Sequence, residues 1–334
     1  MNLANRIQAF INLGEFLRNG IYQQAKSEIN NVEITNAWFT RENIKRALNA
    51  WHEQLKPDML KSWIKPYKLK EVETQKSVLV IMAGNIPLVG FHDFITVLIS
   101  GHRLIIKMSS SDNILLKVII NQLMSFDSYF KESIFFIDNL KDKSFDAVIA
   151  TGSDNSAQHF EYYFKHAKKI IRKNRRSIAI LDGNESTMQL EGLANDIFAY
   201  FGLGCRNVSK IFIPKGYDLN KLFEVFYPFN KIIEHKKYAN NYDYNKAIFL
   251  MGGNKLIENG FVLMKEDRSL LSPVAMLYYE YYEDIKTVNS FLRENSEQIQ
   301  CVVSKMETPF GSTQKPNLWD YADSVDTVEF LKKI

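Results

Sequence analysis

Two cysteines supply all the thiol chemistry of this chain, and one of them, Cys205, stands where a ligand could reach its sulfur. It lies in FGLGCRNVSKIFIP, Phe201 to Pro214, after an apolar helical run and before a β-prone one. Gly202 and Gly204 leave the approach without a Cβ, so backbone and ligand can come close. A thiol on such a connection is a candidate nucleophile, because catalytic groups favour loops held by a rigid scaffold. The competing reading is a small buried hydrophobe, which is how Cys301 reads inside QIQCVVSK. Three further stretches put polar groups at strand ends. Asn85 stands in AGNIP, where Asn braces a turn with its own side chain. Lys107 closes RLIIK, as a solvated strand end or as a cation in reach of a ribose hydroxyl or phosphate. Thr151, Gly152 and Ser153, in ATGSD, open a helix as an ordinary N-cap or as N–H groups facing a ligand.

The elements that must position these residues follow from periodicity. Residues 1–72 are helical, with Leu3, Ile7, Phe10, Ile11, Leu13, Phe16 and Leu17 on one side of a first helix. A second helix fits Arg41–Gln54 behind Thr40 as N-cap. This region reads as a helical lead-in or a partner-binding face. From Lys76 strands and helices alternate. KSVLVIMA, RLIIK, SIFFID, FDAVIATG, KKIIR and SIAIL read as strands. Their near-continuous apolar runs suit parallel strands buried on both faces. SSSDNILLKVIINQLM reads as a helix capped by its Ser/Asp cluster, and SDNSAQHFEYYFKHA as another. This βαβα rhythm predicts a doubly wound sheet with ligands beyond the carboxyl ends of its strands. VSKIFIP, AMLYYEYY and QIQCVVSK are later strands.

Composition excludes several classes. A net charge of +4 over 334 residues is too small to imply a nucleic-acid partner. The basic run KKIIRKNRR (168–176) reads as a solvated sheet edge, or as a contact for a substrate or cofactor phosphate. Two cysteines make no disulfide framework, and the six histidines show no metal spacing. His92 and His102 read as structural. No apolar stretch is long enough to span a bilayer and no secretory h-region leads the chain, so the expected compartment is the cytoplasm. GxGxxG, GxxxxGK[ST] and HExxH are all missing.

These motifs, in this order, make the chain resemble the aldehyde dehydrogenase superfamily and, within it, the LuxC-type acyl-CoA reductases. AGNIP around Asn85 is similar to the superfamily's WNFP turn, and IIKMSSSD around Lys107 to its KP-S-E strand end. ATGSD is similar to its TGS turn, and FGLGC to its glycine-flanked cysteine. FGSTQKPNLWDYADSVDTVEFL (310–331) is similar to the end of LuxC-type reductases. The resemblance implies an α/β fold with a Rossmann-like cofactor domain and an α/β catalytic domain behind a helical lead-in. Its implied divisions are 1–72 helical, 73–182 NAD(P)-binding, 183–309 catalytic with Cys205, and 310–334 returning to the cofactor domain or making oligomer contacts.

The same resemblance implies an acyl-CoA reductase forming an acyl-cysteine on Cys205. Asn85 and the Cys205 N–H would donate to the oxyanion. Lys107, Ser109, Ser110, Thr151, Gly152 and Ser153 would bind the cofactor. NAD-preferring relatives carry Glu where Ser110 stands, and a hydroxyl does not repel a 2′-phosphate, so NADPH is expected over NADH. Two departures matter. AILDG (179–183) puts Ile180 where the superfamily has a general-base Glu, and SLLSPV (269–274) puts Ser269 where it has a cofactor-binding Glu. Losing the base disfavours hydrolytic aldehyde oxidation. Expected partners are an acyl-CoA substrate, further copies of the chain and a possible partner enzyme. Two alternatives remain: another activated acyl donor, such as an acyl phosphate or carrier-protein thioester, or a non-catalytic partner-binding protein of the same fold.

Overall fold

The computed structural model describes residues 1–140 and 143–334, which form two compact units. Met1–Asn174 and Asn317–Ile334 make the first, and Arg175–Pro316 the second.

The first unit is built on a five-stranded parallel sheet in the order β3-β2-β1-β4-β5. Its strands are β1 (Ser77–Ile81), β2 (Arg103–Lys107), β3 (Ile134–Phe136), β4 (Ala147–Thr151) and β5 (Lys168–Arg172). Both faces are covered, which is why β1 has no polar alternation. Val78 and Val80 join one buried cluster, while Leu79 and Ile81 join another with Val148, Ala150 and Phe164. The order steps outward from β1 through β2 to β3, then restarts at β4 and continues to β5. The crevice of such a sheet lies beyond the carboxyl ends of β1 and β4, at the point where the winding reverses. AGNIP leaves β1 there and ATGSD leaves β4.

The leading helices cover one face of this sheet. Thr40 caps Arg41–Gln54 by accepting from Asn43 N at 3.3 Å. Pro57 starts Pro57–Ile64, where its fixed φ and missing N–H cost nothing. Phe10, Leu13, Leu17, Ile21, Leu48, Leu60 and Trp63 are buried in the same cluster as Val78, Val80 and Phe94. The apolar side of the lead-in is therefore packed on the sheet. His92 and His102 are structural: His92 Nε2 meets Leu318 O at 2.8 Å and His102 Nε2 meets Leu331 O at 3.2 Å, tying residues 317–334 to this unit.

The second unit carries a six-stranded sheet in the order β11-β6-β7-β10-β9-β8. Its strands are β6 (Arg176–Ile180), β7 (Val208–Pro214), β8 (Ile257–Glu258), β9 (Leu263–Glu266), β10 (Met276–Tyr282) and β11 (Ile299–Val303). All pairs are parallel except β8 with β9. The SIAIL segment thus pairs with β7 and β11 and belongs to this sheet, not the first. Ile211 and Ile213 face one core with Leu193 and Ala194 of helix Thr187–Phe198, and Phe212 faces the other with Val288. Among the described residues no helix is long and apolar enough to cross a membrane, and no cluster of three His, Cys, Asp or Glu residues could hold a metal.

Candidate active site

The loop carrying Cys205 begins with a helix. Ser186 and Gln189 form a reciprocal capping box that starts Thr187–Phe198. After it the chain turns sharply: Tyr200, Phe201 and Gly202 have φ of 52°, 60° and 74°. Gly202 takes that conformation freely, whereas the two aromatics pay roughly 1–3 kcal/mol each. What holds them is Asn207, 2% exposed. Its Nδ2 donates to the carbonyls of Asp196 (3.0 Å), Ile197 (3.3 Å) and Ala199 (2.8 Å) at the end of the helix. Its Oδ1 accepts from Gly204 N at 2.8 Å. One buried amide thus closes the helix and sets the loop. Phe201 stacks on His235 with ring centroids 4.4 Å apart.

Half-buried Cys205 sits in the turn before β7, at the amino edge of the second sheet, although the open carboxyl edge is where doubly wound sheets usually bind ligands. The first two residues of β6 grip it. Arg176 Nη1 donates to Gly204 O at 3.4 Å, and Ser177 Oγ donates to Cys205 O at 3.1 Å. Ser177 Oγ is also 2.9 Å from Cys301 Sγ, so the second thiol is hydrogen-bonded into this edge as well as packed in a strand. Burial raises the Cys301 pKa, and Ser177 and Arg206 offset part of that. Burial lowers that of Arg176, and the Cys205 thiol pulls it back up.

Behind the loop, Asp196 is fully buried and accepts from Gly311 N (2.7 Å), Thr313 N (3.1 Å) and Thr313 Oγ1 (2.8 Å). Burial raises its pKa against those donors. FGST (310–313) lies so close to the helix that a Cβ on Gly192 would stand 2.8 Å from the Phe310 carbonyl carbon. A shallow open cleft borders the loop, lined by Phe198, Phe201, Gly202, Tyr238, Pro273 and Met276 among others.

In the first unit the remaining candidates gather at the carboxyl edge of the sheet. Asn85 is exposed on the β1 loop, and Gly84 packs so tightly on the β2 loop that a Cβ would meet Ser109 Oγ at 2.4 Å. Lys107 Nζ donates to Asp138 O at 3.0 Å, and Ser110 is exposed beside it. Ser153 caps Asp154–Tyr163, accepting from Ser156 N at 3.3 Å. The SSSD cluster departs from expectation. The helix starts at Leu115 without a side-chain cap, and Asp112 turns inward to accept from Leu88 N at 2.9 Å. Leu88 has a φ of 60° in the turn after AGNIP, so the carboxylate braces that strained turn. Asp112 Oδ1 is buried without a partner, and burial pushes the pKa up to about 6.

The basic run is not a solvated edge throughout. Arg172 forms a buried ion pair with Asp93 and donates to Thr327 Oγ1 at 3.1 Å, while Arg176 reaches the thiol loop. Asn85, Lys107, Ser109, Ser110 and Thr151–Ser153 therefore share one edge of the first unit, and Cys205 belongs to the second. Asn207, Arg176 and Asp112 escaped the sequence reading. For Asn207 a signal existed: an Asn two residues after a Gly-flanked turn is placed to bond its own backbone.

The acyl-CoA reductase (LuxC) family model matches residues 15–234, about two thirds of the chain. The chain belongs to the LuxC acyl-CoA reductase family. The LuxC match spans Asn85, Lys107, Thr151–Ser153 and Cys205, and with it comes the coarse activity, oxidoreductase chemistry at the aldehyde level. No curated protein matches. Solved structures agree on the fold. Aldehyde dehydrogenase 21 from Physcomitrella patens, with the reaction product succinate, is 13% identical at a TM-score of 0.66 over 91% of this chain and 74% of that one. An aldehyde dehydrogenase C mutant from Pseudomonas syringae, with NAD+ and octanal, is 10% identical at 0.66 over 87% and 70%. A Bacillus cereus aldehyde dehydrogenase with NAD+ is 12% identical at 0.61 over 91% and 72%. This LuxC-family chain therefore has the aldehyde dehydrogenase fold.

Proposed function

We propose that this chain reduces an acyl-CoA thioester to an aldehyde through an acyl-cysteine on Cys205, with NADPH as reductant. The observation that carries the reading is the Cys205 loop, strained and pinned by a buried amide, within the segment that matches acyl-CoA reductases. The Cys205 thiolate attacks the thioester carbonyl, a new C–S bond forms, and the CoA thiolate leaves. The Cys205 N–H donates to the oxyanion, a donor worth about 3 kcal/mol when well placed. Addition of hydride leaves a hemithioacetal on Cys205, whose collapse returns the thiol and frees the aldehyde.

The donor set at the carboxyl edge of the first sheet suits a phosphorylated dinucleotide. Lys107 brings an ammonium, Ser109 and Ser110 bring hydroxyls, and helix Asp154–Tyr163 turns its N-terminus to the crevice side. A neutral Ser110 tolerates a 2′-phosphate. The bound nicotinamide supplies the hydride. Ile180, which the resemblance put at the base position, closes β6 beside Phe212 at the carboxyl edge, whereas Cys205 lies at the amino edge beside Ser177, so neither Ile180 nor a base in its place would adjoin the acyl-enzyme. The carboxylate behind the thiol loop is engaged: Asp196 accepts from Gly311 N at 2.7 Å, Thr313 N at 3.1 Å and Thr313 Oγ1 at 2.8 Å.

The test is NADPH consumption with acyl-CoAs of graded chain length, alongside transfer of label from acyl-CoA to protein. Cys205→Ala should take up no label while keeping NADPH affinity. Aldehyde formation by that variant at the wild-type rate would sink the assignment.

A further inference from the structure

We infer that Arg176 is a positioning residue for Cys205: its guanidinium holds the Gly204 carbonyl, and with it the Cys205 amide, while its positive charge stabilises the thiolate. The inference deepens the reading of Cys205 as acyl acceptor and rests on it.

The geometry begins with two consecutive residues of β6 gripping two consecutive carbonyls. Arg176 donates to Gly204 O at 3.4 Å and Ser177 donates to Cys205 O at 3.1 Å. Asn207 N adds a 3.1 Å bond to the same Gly204 O. The Gly204 carbonyl and the Cys205 N–H are the two ends of one planar trans peptide and point in opposite directions. Fixing the carbonyl therefore aims the N–H, the group proposed to meet the oxyanion. Ser177 fixes the following peptide in the same way, so both planes flanking the Cys205 Cα are set from β6.

The charge argument is independent. Arg176 Nε is buried without a hydrogen-bond partner, and the titratable neighbour that acts on its charge is Cys205. A half-buried cation without a carboxylate is costly, and a thiolate is the anion that would offset it. The other charged or titratable groups around the loop include Arg206, next in the chain, Cys301 on β11, Asp196 on the preceding helix and His235, stacked on Phe201. Asp196 is held by Gly311 and Thr313. Arg176 is thus the cation from a neighbouring strand directly bonded to the thiol loop.

The test is the pH profile of iodoacetamide alkylation at Cys205, resolved from Cys301 by peptide mass spectrometry, for wild type, Arg176→Gln and Arg176→Lys. Removing the charge should move the alkylation midpoint up by roughly one pH unit and slow alkylation at pH 7 about tenfold, with the high-pH limiting rate unchanged. Lysine keeps the charge and should hold the midpoint within a few tenths of a unit. An Arg176→Gln midpoint equal to wild type overturns the inference, as does a lysine variant that shifts as far as glutamine. If Arg176→Gln does not fold, Cys205→Ser decides. Loss of the counter-anion should lower stability relative to wild type only above the thiol midpoint, and parallel stability curves across pH overturn the inference. Acyl transfer is followed on the same proteins. A thiol that depends on Arg176 yet never acylates would remove the acyl-acceptor reading and leave the positioning role standing.

Discussion

Replacing Asn207 by Ala should cost more than an ordinary surface or loop substitution. The side chain makes four hydrogen bonds, the shortest being 2.8 Å from Gly204 N and 2.8 Å to Ala199 O. Both of those partners are buried, and a buried group left unpaired costs roughly 1–3 kcal/mol. Tyr200 and Phe201 then lose the anchor that keeps them at positive φ. Together these give a loss of about 2–5 kcal/mol in the second unit, or about 1–2 M in urea midpoint at an ordinary slope. The molecule supplies its own reporters. Trp38, Trp51, Trp63 and Trp319 all lie in the first unit, and Cys205 and Cys301 both lie in the second. Thiol reactivity against urea should shift while tryptophan fluorescence stays where it was. Acyl transfer should fall about a hundredfold, as expected for a nucleophile displaced by about 1 Å. Asn207→Asp sharpens the test. Its carboxylate still accepts from Gly204 N but sets a second oxygen against three carbonyls, so its folded pKa must rise. That variant should be at least as unstable as Ala at pH 7 and recover as pH falls toward the ordinary carboxylate value. Thiols exposed at the wild-type urea concentration in Asn207→Ala would refute the reasoning.

Asp112 carries a pH prediction of known sign. Its pKa rises from 3.8 to about 6, so the folded state holds the proton more tightly than the unfolded. Stability of the first unit should fall by about 3 kcal/mol as pH rises from about 4 to 6 and stay flat above. Asp112→Asn keeps an acceptor for Leu88 N and should abolish that slope in urea melts read by tryptophan; identical slopes would contradict the burial argument. Gly192→Ala drives a methyl against the Phe310 backbone and should cost about 1–3 kcal/mol, read by thiol exposure. Ser110→Glu places a carboxylate where a 2′-phosphate is proposed to lie and should raise KM for NADPH at least tenfold relative to NADH. An unchanged ratio would remove Ser110 from the cofactor site.

Strands were readable because a parallel strand buried on both faces is an unbroken apolar run, and RLIIK and VSKIFIP are β2 and β7 residue for residue. Thr40 and its helix were readable because capping is local. Readings that assumed locality fared worse. Asp112 has the chemistry of a helix cap, yet the strained turn at Leu88, 24 positions earlier, claims its carboxylate. KKIIRKNRR looks uniformly solvated in one dimension, but side chains alternate faces along a strand, and Arg172 is turned onto Asp93. The site divides the same way. Asn85, Lys107, Ser153 and Cys205 show in the order of their motifs. Arg176 does not, because its role exists only once β6 lies beside β7, 28 residues along the chain from Gly204.

The two proposed loops solve one problem in the same manner. Leu88, Tyr200 and Phe201 are non-glycine residues at positive φ, and each stands in a turn beside a residue to which the resemblance assigns chemistry. A tight turn of this kind presents backbone N–H groups and a reactive side chain on one side, but the strain works against it at about 1–3 kcal/mol per residue. In both loops a buried polar side chain supplies the compensation: Asp112 to Leu88 N in one, Asn207 to Gly204 N and three helix-end carbonyls in the other. Asp112 is not well served by burial on its own account, since it keeps an unpaired oxygen and a raised pKa for it. A chain selected only for stability would replace Leu88 with glycine and Asp112 with an apolar residue. The Asn207 amide differs in that all its bonds are made, so it stabilises the turn it sets, and in both loops a buried polar side chain offsets strain that glycine would not incur.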